Sequence, residues 1–269
     1  SVTKVIKSLQ YVKFNNIVID KIYKEIYYFK NSKKKREEKS PEKIDFKKLS
    51  IKNLNFNYPN SNNLILKNID LNITKGDKIG IIGQTGSGKS TLINIISGLI
   101  SVKSQELKVN DITLDPSSVA SWQSNIGYVS DDVFLLDETI GYNISLKEDY
   151  KTEEKKLLEL LKKVELLEFV EKQPLNLDMI VGEKGSKLSR GQTQRLGIAR
   201  ALYIDPSILI FDEATSALDV NTEKNILEKL NKESQNLTII SISHRKSSLE
   251  FCNKIFEIND GQLKEIVNN

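Results

Sequence analysis

Residues 83–90 read Gly-Gln-Thr-Gly-Ser-Gly-Lys-Ser, and this motif is the strongest indication of the fold class. It matches the pattern G-x-x-x-x-G-K-[ST] at every fixed position. The apolar run 79–82 before it predicts a short buried strand, and residues 89–99 after it predict a helix. Glycines allow backbone N–H groups to converge on phosphate oxygens, and the start of a helix adds positive potential. The stretch therefore predicts a phosphate-binding loop in an α/β domain.

The side chains of this loop indicate a nucleoside triphosphate with Mg²⁺. A lysine at the place of Lys89 reaches the β- and γ-phosphates and assists catalysis, while the Ser90 hydroxyl can ligate the metal ion. We expect the loop and the residue after it to bind ATP, namely Gly83, Gln84, Thr85, Gly86, Ser87, Gly88, Lys89, Ser90 and Thr91.

A second apolar run, 208–211, ends in the carboxylates Asp212 and Glu213. At the end of a buried strand, Asp212 would ligate Mg²⁺ and Glu213 would orient and polarise the attacking water. Neighbouring side chains of a strand point to opposite faces, so a solvated position for Glu213 stays open. The only histidine, His244, follows the apolar run 237–242, which predicts a strand beside that of Asp212. His244 is therefore a catalytic candidate, with a purely structural role as the alternative.

The chain divides by composition into a tail, a linker and a main domain. Residues 1–30 space apolar side chains by three and four, which predicts an amphipathic helix broken near residues 15–16. Residues 31–43 are charged and contain Pro41, which predicts a linker. Residues 1–43 hold 12 Lys and Arg against 5 Asp and Glu. This basic arm suits nucleic acid or an anionic membrane, and equally a solvated linker in a Lys-rich chain.

The remaining patterns support one α/β domain over residues 44–269. Strands are predicted at 51–56, 64–73 and in a hairpin at 255–267, and helices at 152–171 and 221–231. No apolar run approaches the roughly 18 residues that cross a bilayer. Cys252 is the only cysteine, which excludes an internal disulfide bond and argues against a structural zinc site.

Residues 188–192 read Leu-Ser-Arg-Gly-Gln and resemble the signature motif of ABC-type ATPases. With the phosphate loop, Asp212-Glu213 and His244 in the same order, the resemblance covers residues 44–269. It implies a P-loop NTPase core with a mixed or parallel sheet, an antiparallel β subdomain and an inserted α-helical subdomain at about 130–195. It also implies a head-to-tail homodimer in which signature residues contact ATP held by the second subunit: Ser189, Arg190, Gly191 and Gln192.

Further matches to this family extend the expectation to transport. Tyr58 resembles the aromatic residue that stacks on adenine, with a core tyrosine at the end of a strand as the alternative. Residues 216–219 resemble the loop that couples the two sites. Residues 181–185 resemble the exporter segment that touches the transmembrane domain, and residues 1–30 resemble the tail after the last membrane helix, as in flippases of lipid-linked glycans. The resemblance implies a Mg²⁺-dependent ATPase that drives an exporter at the cytoplasmic face of a bacterial inner membrane, with no nucleic-acid partner.

Two residues depart from the family pattern. Asp131 stands where the family usually has a glutamine, and it can still ligate Mg²⁺ but cannot donate a hydrogen bond as an anion. Arg190 stands where glycine is most frequent and adds a cation beside the partner's nucleotide.

Two other functions remain as alternatives. One is a soluble ABC-type ATPase that acts on nucleic acid or ribosomes through the basic arm. Against it, Leu188 follows Lys89 by only 99 positions, which leaves no room for a long coiled coil, and one cassette is present. The other is a cassette that binds without hydrolysis, suggested by Asp131 and opposed by the presence of Lys89, Ser90, Asp212, Glu213 and His244.

Overall fold

The computed structural model describes residues 20–27, 41–59, 61, 63–102, 106–243 and 249–266. The predictions for residues 1–19 and 28–40 therefore lie outside the described residues. The chain forms two compact units, Ser1–Glu42 and Lys43–Asn269. In the first unit, residues 20–27 form helix α1, on which the side chains of Ile22 and Ile26 are exposed. In the described parts of the chain, no helix has the length and apolar character needed to span a membrane.

The second unit begins with an antiparallel sheet. Its strands are β1 (Lys48–Phe56), β2 (Leu66–Thr74), β4 (Leu107–Val109) and β5 (Ile112–Thr113), in the order β2-β1-β4-β5. Strand β2 alternates buried apolar and exposed residues from Ile69 onward, as expected for a sheet with one face on the core. This is the antiparallel subdomain that the sequence predicts.

The central sheet has six strands in the order β10-β9-β3-β8-β7-β6. Only the pair between β9 and β10 is antiparallel, and the other pairs are parallel. Strands β7 and β8 are buried along almost their whole length, which explains why their sequences are continuous apolar runs. The bounds are β3 (Lys78–Gly83), β6 (Ile126–Ser130), β7 (Ile208–Asp212), β8 (Thr238–Ile242), β9 (Lys254–Asn259) and β10 (Gln262–Ile266).

Helices cover the central sheet, and a group of them is inserted between β6 and β7. Among the described residues, the second unit contains the helices α2 (Lys89–Ile96), α3 (Val119–Gln123), α4 (Ile140–Ser145), α5 (Glu154–Lys163), α6 (Leu167–Glu171), α7 (Arg190–Tyr203) and α8 (Val220–Glu233). Single 3₁₀ turns occur at Tyr150–Glu153, Asn176–Asp178 and Glu183–Gly185. Helices α4 to α7 form the inserted helical part, so the mixed architecture expected from the sequence is confirmed.

The two faces of β7 belong to different hydrophobic clusters. Leu209 and Phe211 pack with the helices α5, α7 and α8, whereas Ile208 and Ile210 pack with α2 and the antiparallel sheet. Because side chains alternate along a strand, β7 joins the two halves of the core. Its carboxyl end is thereby fixed in position.

Two helix boundaries differ from the sequence prediction, and the inserted helical part extends beyond its expected end near residue 195. The stretch 152–171 is interrupted, because α5 ends at Lys163 and Glu165 takes a left-handed conformation with φ of 56°. Helix α2 ends at Ile96, before the left-handed Gly98 (φ 69°). Helix α7 continues to Tyr203, beyond residue 195, because its last turns pack into the core.

Candidate nucleotide-binding site

The site lies at the carboxyl edge of the central sheet. Strand β8 lies between β3 and β7, and its residue Ile242 pairs with both Ile81 and Asp212. Two strand spacings separate these partners, which places the Cα atoms of Ile81 and Asp212 about 10 Å apart. The topology therefore brings the two predicted parts of the site to one edge.

The phosphate loop has a backbone that exposes N–H groups at the start of α2. Gly88 is the N-cap, with φ of 109°, and supplies no side-chain hydrogen bond to the helix end. A side chain at this position would also collide with Leu66, since its Cβ would lie 2.8 Å from a methyl carbon of that residue. Glycine is therefore required at residue 88, and the end of α2 is left for a ligand.

Two side chains of the loop fit a phosphate group. Lys89 is only 6% exposed, and its Nζ donates hydrogen bonds to the carbonyl oxygens of Gly83 (2.7 Å) and Gln84 (2.9 Å). Its ammonium group is thus held inside the loop. The Ser87 Oγ atom is buried and has no hydrogen-bond partner among the described residues. A buried hydroxyl without a partner is costly, and a phosphate oxygen would satisfy it.

Tyr58 lies beside the helix that follows the loop. Its hydroxyl is 3.3 Å from Thr91 Oγ1, and its ring packs edge-on against Phe56 with centroids 5.1 Å apart. These contacts orient the ring while 40% of the residue stays exposed. An oriented and exposed aromatic ring next to the phosphate loop fits a base-stacking role.

Asp212 has a hydrogen-bond partner that the sequence analysis missed. The Tyr128 hydroxyl donates to Asp212 Oδ2 at 2.6 Å. Burial of Tyr128, together with this bond to a carboxylate, raises the pKa of the tyrosine, so it remains a donor at neutral pH. The two residues are 84 positions apart, and only the pairing of β6 with β7 brings them together.

Glu213 is the first residue after β7 and is exposed. It has a left-handed backbone with φ of 54°, and its N–H donates to the Ile242 carbonyl at 3.1 Å. A non-glycine residue in this conformation carries strain, which is frequent at functional positions. The turn after β7 thus fixes Glu213 on the same edge as Asp212.

The signature residues begin helix α7. Ser189 is the N-cap, and it forms a reciprocal capping box with Gln192: Ser189 Oγ accepts from the Gln192 N–H at 3.2 Å, and Gln192 Oε1 accepts from the Ser189 N–H at 2.8 Å. Gln194, which the sequence analysis did not assign, is 1% exposed and accepts from the Ala217 N–H at 3.0 Å. This bond ties α7 to the loop 216–219.

The two departures from the family pattern contact each other. The Arg190 guanidinium Nη2 lies 3.2 Å from both carboxylate oxygens of Asp131. The Ser216 hydroxyl donates to the same carboxylate. Asp131 follows β6 directly, and Ser130 pairs with Asp212, so this contact lies at the same edge of the sheet.

The predicted residues thus fall into two groups. The loop 83–91, Tyr58, Asp212 and Glu213 surround the ends of β3 and β7, while Ser189 to Gln192 and Asp131 gather at the start of α7. His244 lies outside the described residues, so its role stays a prediction.

Comparison with known proteins identifies the family. The model of the ABC transporter family matches residues 66–216, which is more than half of the chain. A Pasteurella multocida protein named ATP-dependent lipid A-core flippase is 38% identical over 220 residues, covering 81% of this chain and 37% of that protein. The Dictyostelium discoideum ABC transporter B family member 6 is 34% identical over 233 residues, covering 84% of this chain and 34% of that protein.

A solved structure shows the same fold. A bacterial Atm1-family ABC exporter with ATP bound superposes with a TM-score of 0.76 at 30% identity, covering 85% of this chain and 40% of the exporter. The chain therefore spans little more than a third of the curated relatives that it matches. It belongs to the ABC transporter family and corresponds to the ATPase domain of that family.

Proposed function

We propose that this chain is the Mg²⁺-dependent ATP-hydrolysing motor of a membrane exporter. The observation that carries the proposal is that β3, which leads into the phosphate loop with Lys89, and β7, which ends in Asp212 and is followed by Glu213, flank β8 and end at the same edge of the sheet. A cationic loop for phosphates, a carboxylate for a metal ion and a second carboxylate for water are the parts that phosphoryl transfer needs.

Each residue then has a defined task. The loop N–H groups and Lys89 bind the β- and γ-phosphates, and Ser90 and Asp212 would hold Mg²⁺, which neutralises charge on the phosphate oxygens when it is bound. Glu213 orients the attacking water and accepts its proton. Tyr128 keeps Asp212 oriented through its 2.6 Å hydrogen bond. His244 is proposed as a further contact to the γ-phosphate.

The group at the start of α7 supports a dimer. Ser189 to Gln192 lie on the inserted helical part and not on the phosphate loop. We propose that they contact the nucleotide of a second copy in a head-to-tail homodimer, so that two ATP molecules lie between the subunits. Binding of ATP would close this dimer, and hydrolysis with release of products would reopen it.

Transport is proposed from the relatives and from the segment 181–185. The Pasteurella multocida relative is named a flippase and the solved structure is that of an exporter, and both proteins are longer than this chain. Residues Glu183–Gly185 form a 3₁₀ turn just before the signature helix, with Glu183 and Lys184 exposed, a position from which movement of α7 can reach a membrane partner. We place the motor at the cytoplasmic face of a bacterial inner membrane. The same names favour transport over action on nucleic acid or ribosomes.

Glu213→Gln tests the hydrolytic part of the proposal. The variant keeps the size of the side chain but loses the base, so we expect ATP to bind while the rate of phosphate release falls at least about a hundredfold. We also expect the variant to accumulate as an ATP-bound dimer in sedimentation. Glu228→Gln, on the exposed face of α8, is the matched control. Hydrolysis by Glu213→Gln at the wild-type rate would refute the assigned role of Glu213.

A further inference from the structure

The contacts of Asp131 with Arg190 and with Ser216 connect three segments of the candidate site. Asp131 follows β6, Arg190 is the first residue of α7, and Ser216, the second partner of Asp131, lies in the loop between β7 and α8. One carboxylate therefore binds both the signature helix and the coupling loop. Neither bond is visible in the sequence, because 59 and 85 positions separate the partners.

The ion pair is accessible to solvent and can be exchanged. The Arg190 side chain is 70% exposed and that of Asp131 is 45% exposed. An ion pair at such a surface biases an equilibrium by only about two- to fivefold. A terminal phosphate offers a guanidinium group a doubly charged partner with matching geometry. Phosphate would therefore displace Asp131 from Arg190.

We propose that Arg190 senses the γ-phosphate of the nucleotide held by the second copy, and that Asp131 holds Arg190 back until this nucleotide arrives. The inference rests on the proposed head-to-tail dimer. When the dimer closes, Arg190 leaves Asp131 for the terminal phosphate, while Ser216 continues to bind the Asp131 carboxylate. The exchange makes closure selective for nucleoside triphosphate over diphosphate, because the diphosphate lacks the group that draws Arg190 away.

Opposite effects of two substitutions distinguish this exchange from a static contact. Asp131→Asn removes the charge that retains Arg190, so closure should become easier. Arg190→Gln keeps a good helix former at the start of α7 but removes the phosphate contact, so closure should become harder. A pair that only supports the fold would weaken the dimer in both variants. A carboxylate that mainly binds Mg²⁺ would likewise weaken the dimer when it is changed to Asn.

The test measures the dimer dissociation constant by sedimentation with Mg-ATP or Mg-ADP, using the whole chain with Glu213→Gln as background. With ATP we expect Asp131→Asn to lower the constant by about two- to fivefold for each of the two sites. Arg190→Gln should raise it by about tenfold or more, since bonds to charged groups are stronger than neutral ones. Arg190→Gln should also reduce the preference for ATP over ADP. Asp111→Asn, which breaks the exposed ion pair with Lys48 on the antiparallel sheet, should change neither value.

The outcomes separate the two proposals. Shifts of opposite sign, with a reduced ATP preference in Arg190→Gln, support the exchange. Shifts of the same sign, or no shift, overturn it while leaving the dimer in place. If the background chain forms no dimer with ATP at any concentration, the proposed function itself fails, and the exchange fails with it.

Discussion

At the scale of single residues, the site is defined by polar groups whose usual partners are absent or replaced. The Lys89 ammonium uses two loop carbonyls as acceptors, and Ser87 Oγ has no partner within the described part of the chain. Both groups gain a better acceptor when a phosphate enters the loop. The loop thus holds its donors close to the positions that a triphosphate requires, which reduces the cost of ordering them on binding.

Tyr58 gives a prediction at this scale. Tyr58→Ala should weaken Mg-ATP binding about fivefold or more, because stacking of a base on an aromatic ring contributes about 1–3 kcal/mol. Tyr58→Phe should bind ATP almost as wild type, since it keeps the ring and loses only the 3.3 Å contact with Thr91. Inorganic triphosphate has no base, so its affinity should be equal in all three proteins. Calorimetric titration measures each value, and an equal loss for triphosphate would show that Tyr58 supports the loop and does not stack.

The sequence predicts the residues of local motifs and misses those that depend on register. The roles proposed for Lys89 and Asp212 follow from neighbours within a few positions. The bond from Tyr128 to Asp212 spans 84 positions and that from Arg190 to Asp131 spans 59. To predict such contacts, one must know the order of the strands in the sheet. Local sequence patterns do not specify this order. The two departures therefore looked independent, whereas the structure shows that they are partners.

At the scale of elements, the apolar runs predicted the buried strands well. The spacing of apolar residues predicted the ends of helices less well. Strands β7 and β8 are buried on both faces, so their composition alone identifies them. The break between α5 and α6 coincides with tertiary contacts of Glu165. The Glu165 carbonyl accepts a hydrogen bond from Arg195, and its carboxylate pairs with Lys229 at 2.9 Å. These long-range contacts accompany the left-handed turn at Glu165, and the sequence around this residue does not predict the turn.

Helix α7 offers a test at the element scale through its two glycines. A Cβ at Gly197 would lie 2.7 Å from the methyl carbons of Val133, whereas a Cβ at Gly191 would have its nearest neighbour, the Ala217 carbonyl oxygen, at 3.4 Å. Gly197→Ala should therefore destabilise the fold by about 1–3 kcal/mol through overpacking. Gly191→Ala should leave the stability nearly unchanged or slightly higher, because alanine favours helix. Urea denaturation compares the two, and a Gly197→Ala chain as stable as wild type would contradict the close packing of α7 on Val133.

At the scale of the whole molecule, the inserted helices are tied to the sheet edge that carries the candidate site. Helices α4 to α7 enter between β6 and β7, so both ends of the insertion lie beside the strand that carries Asp212. Gln194 ties α7 to residue 217 and Arg190 ties it to Asp131, which joins the insertion to the sheet edge by polar contacts. Polar contacts of this kind can be exchanged more readily than the apolar core can be repacked. Through these contacts, hydrolysis or exchange of the proposed nucleotide would therefore affect the position of the helical part.

Every proposed role depends on the binding of a magnesium nucleotide by the phosphate loop at this edge of the sheet. The most direct measurement is a calorimetric titration of the wild-type chain and of Lys89→Ala with Mg-ATP. We expect saturable binding by the wild type and a loss of about tenfold to a hundredfold in Lys89→Ala, because charge-assisted hydrogen bonds are worth about 1.5–3 kcal/mol. Absence of binding by the folded wild-type chain, or equal affinity in Lys89→Ala, would contradict the account.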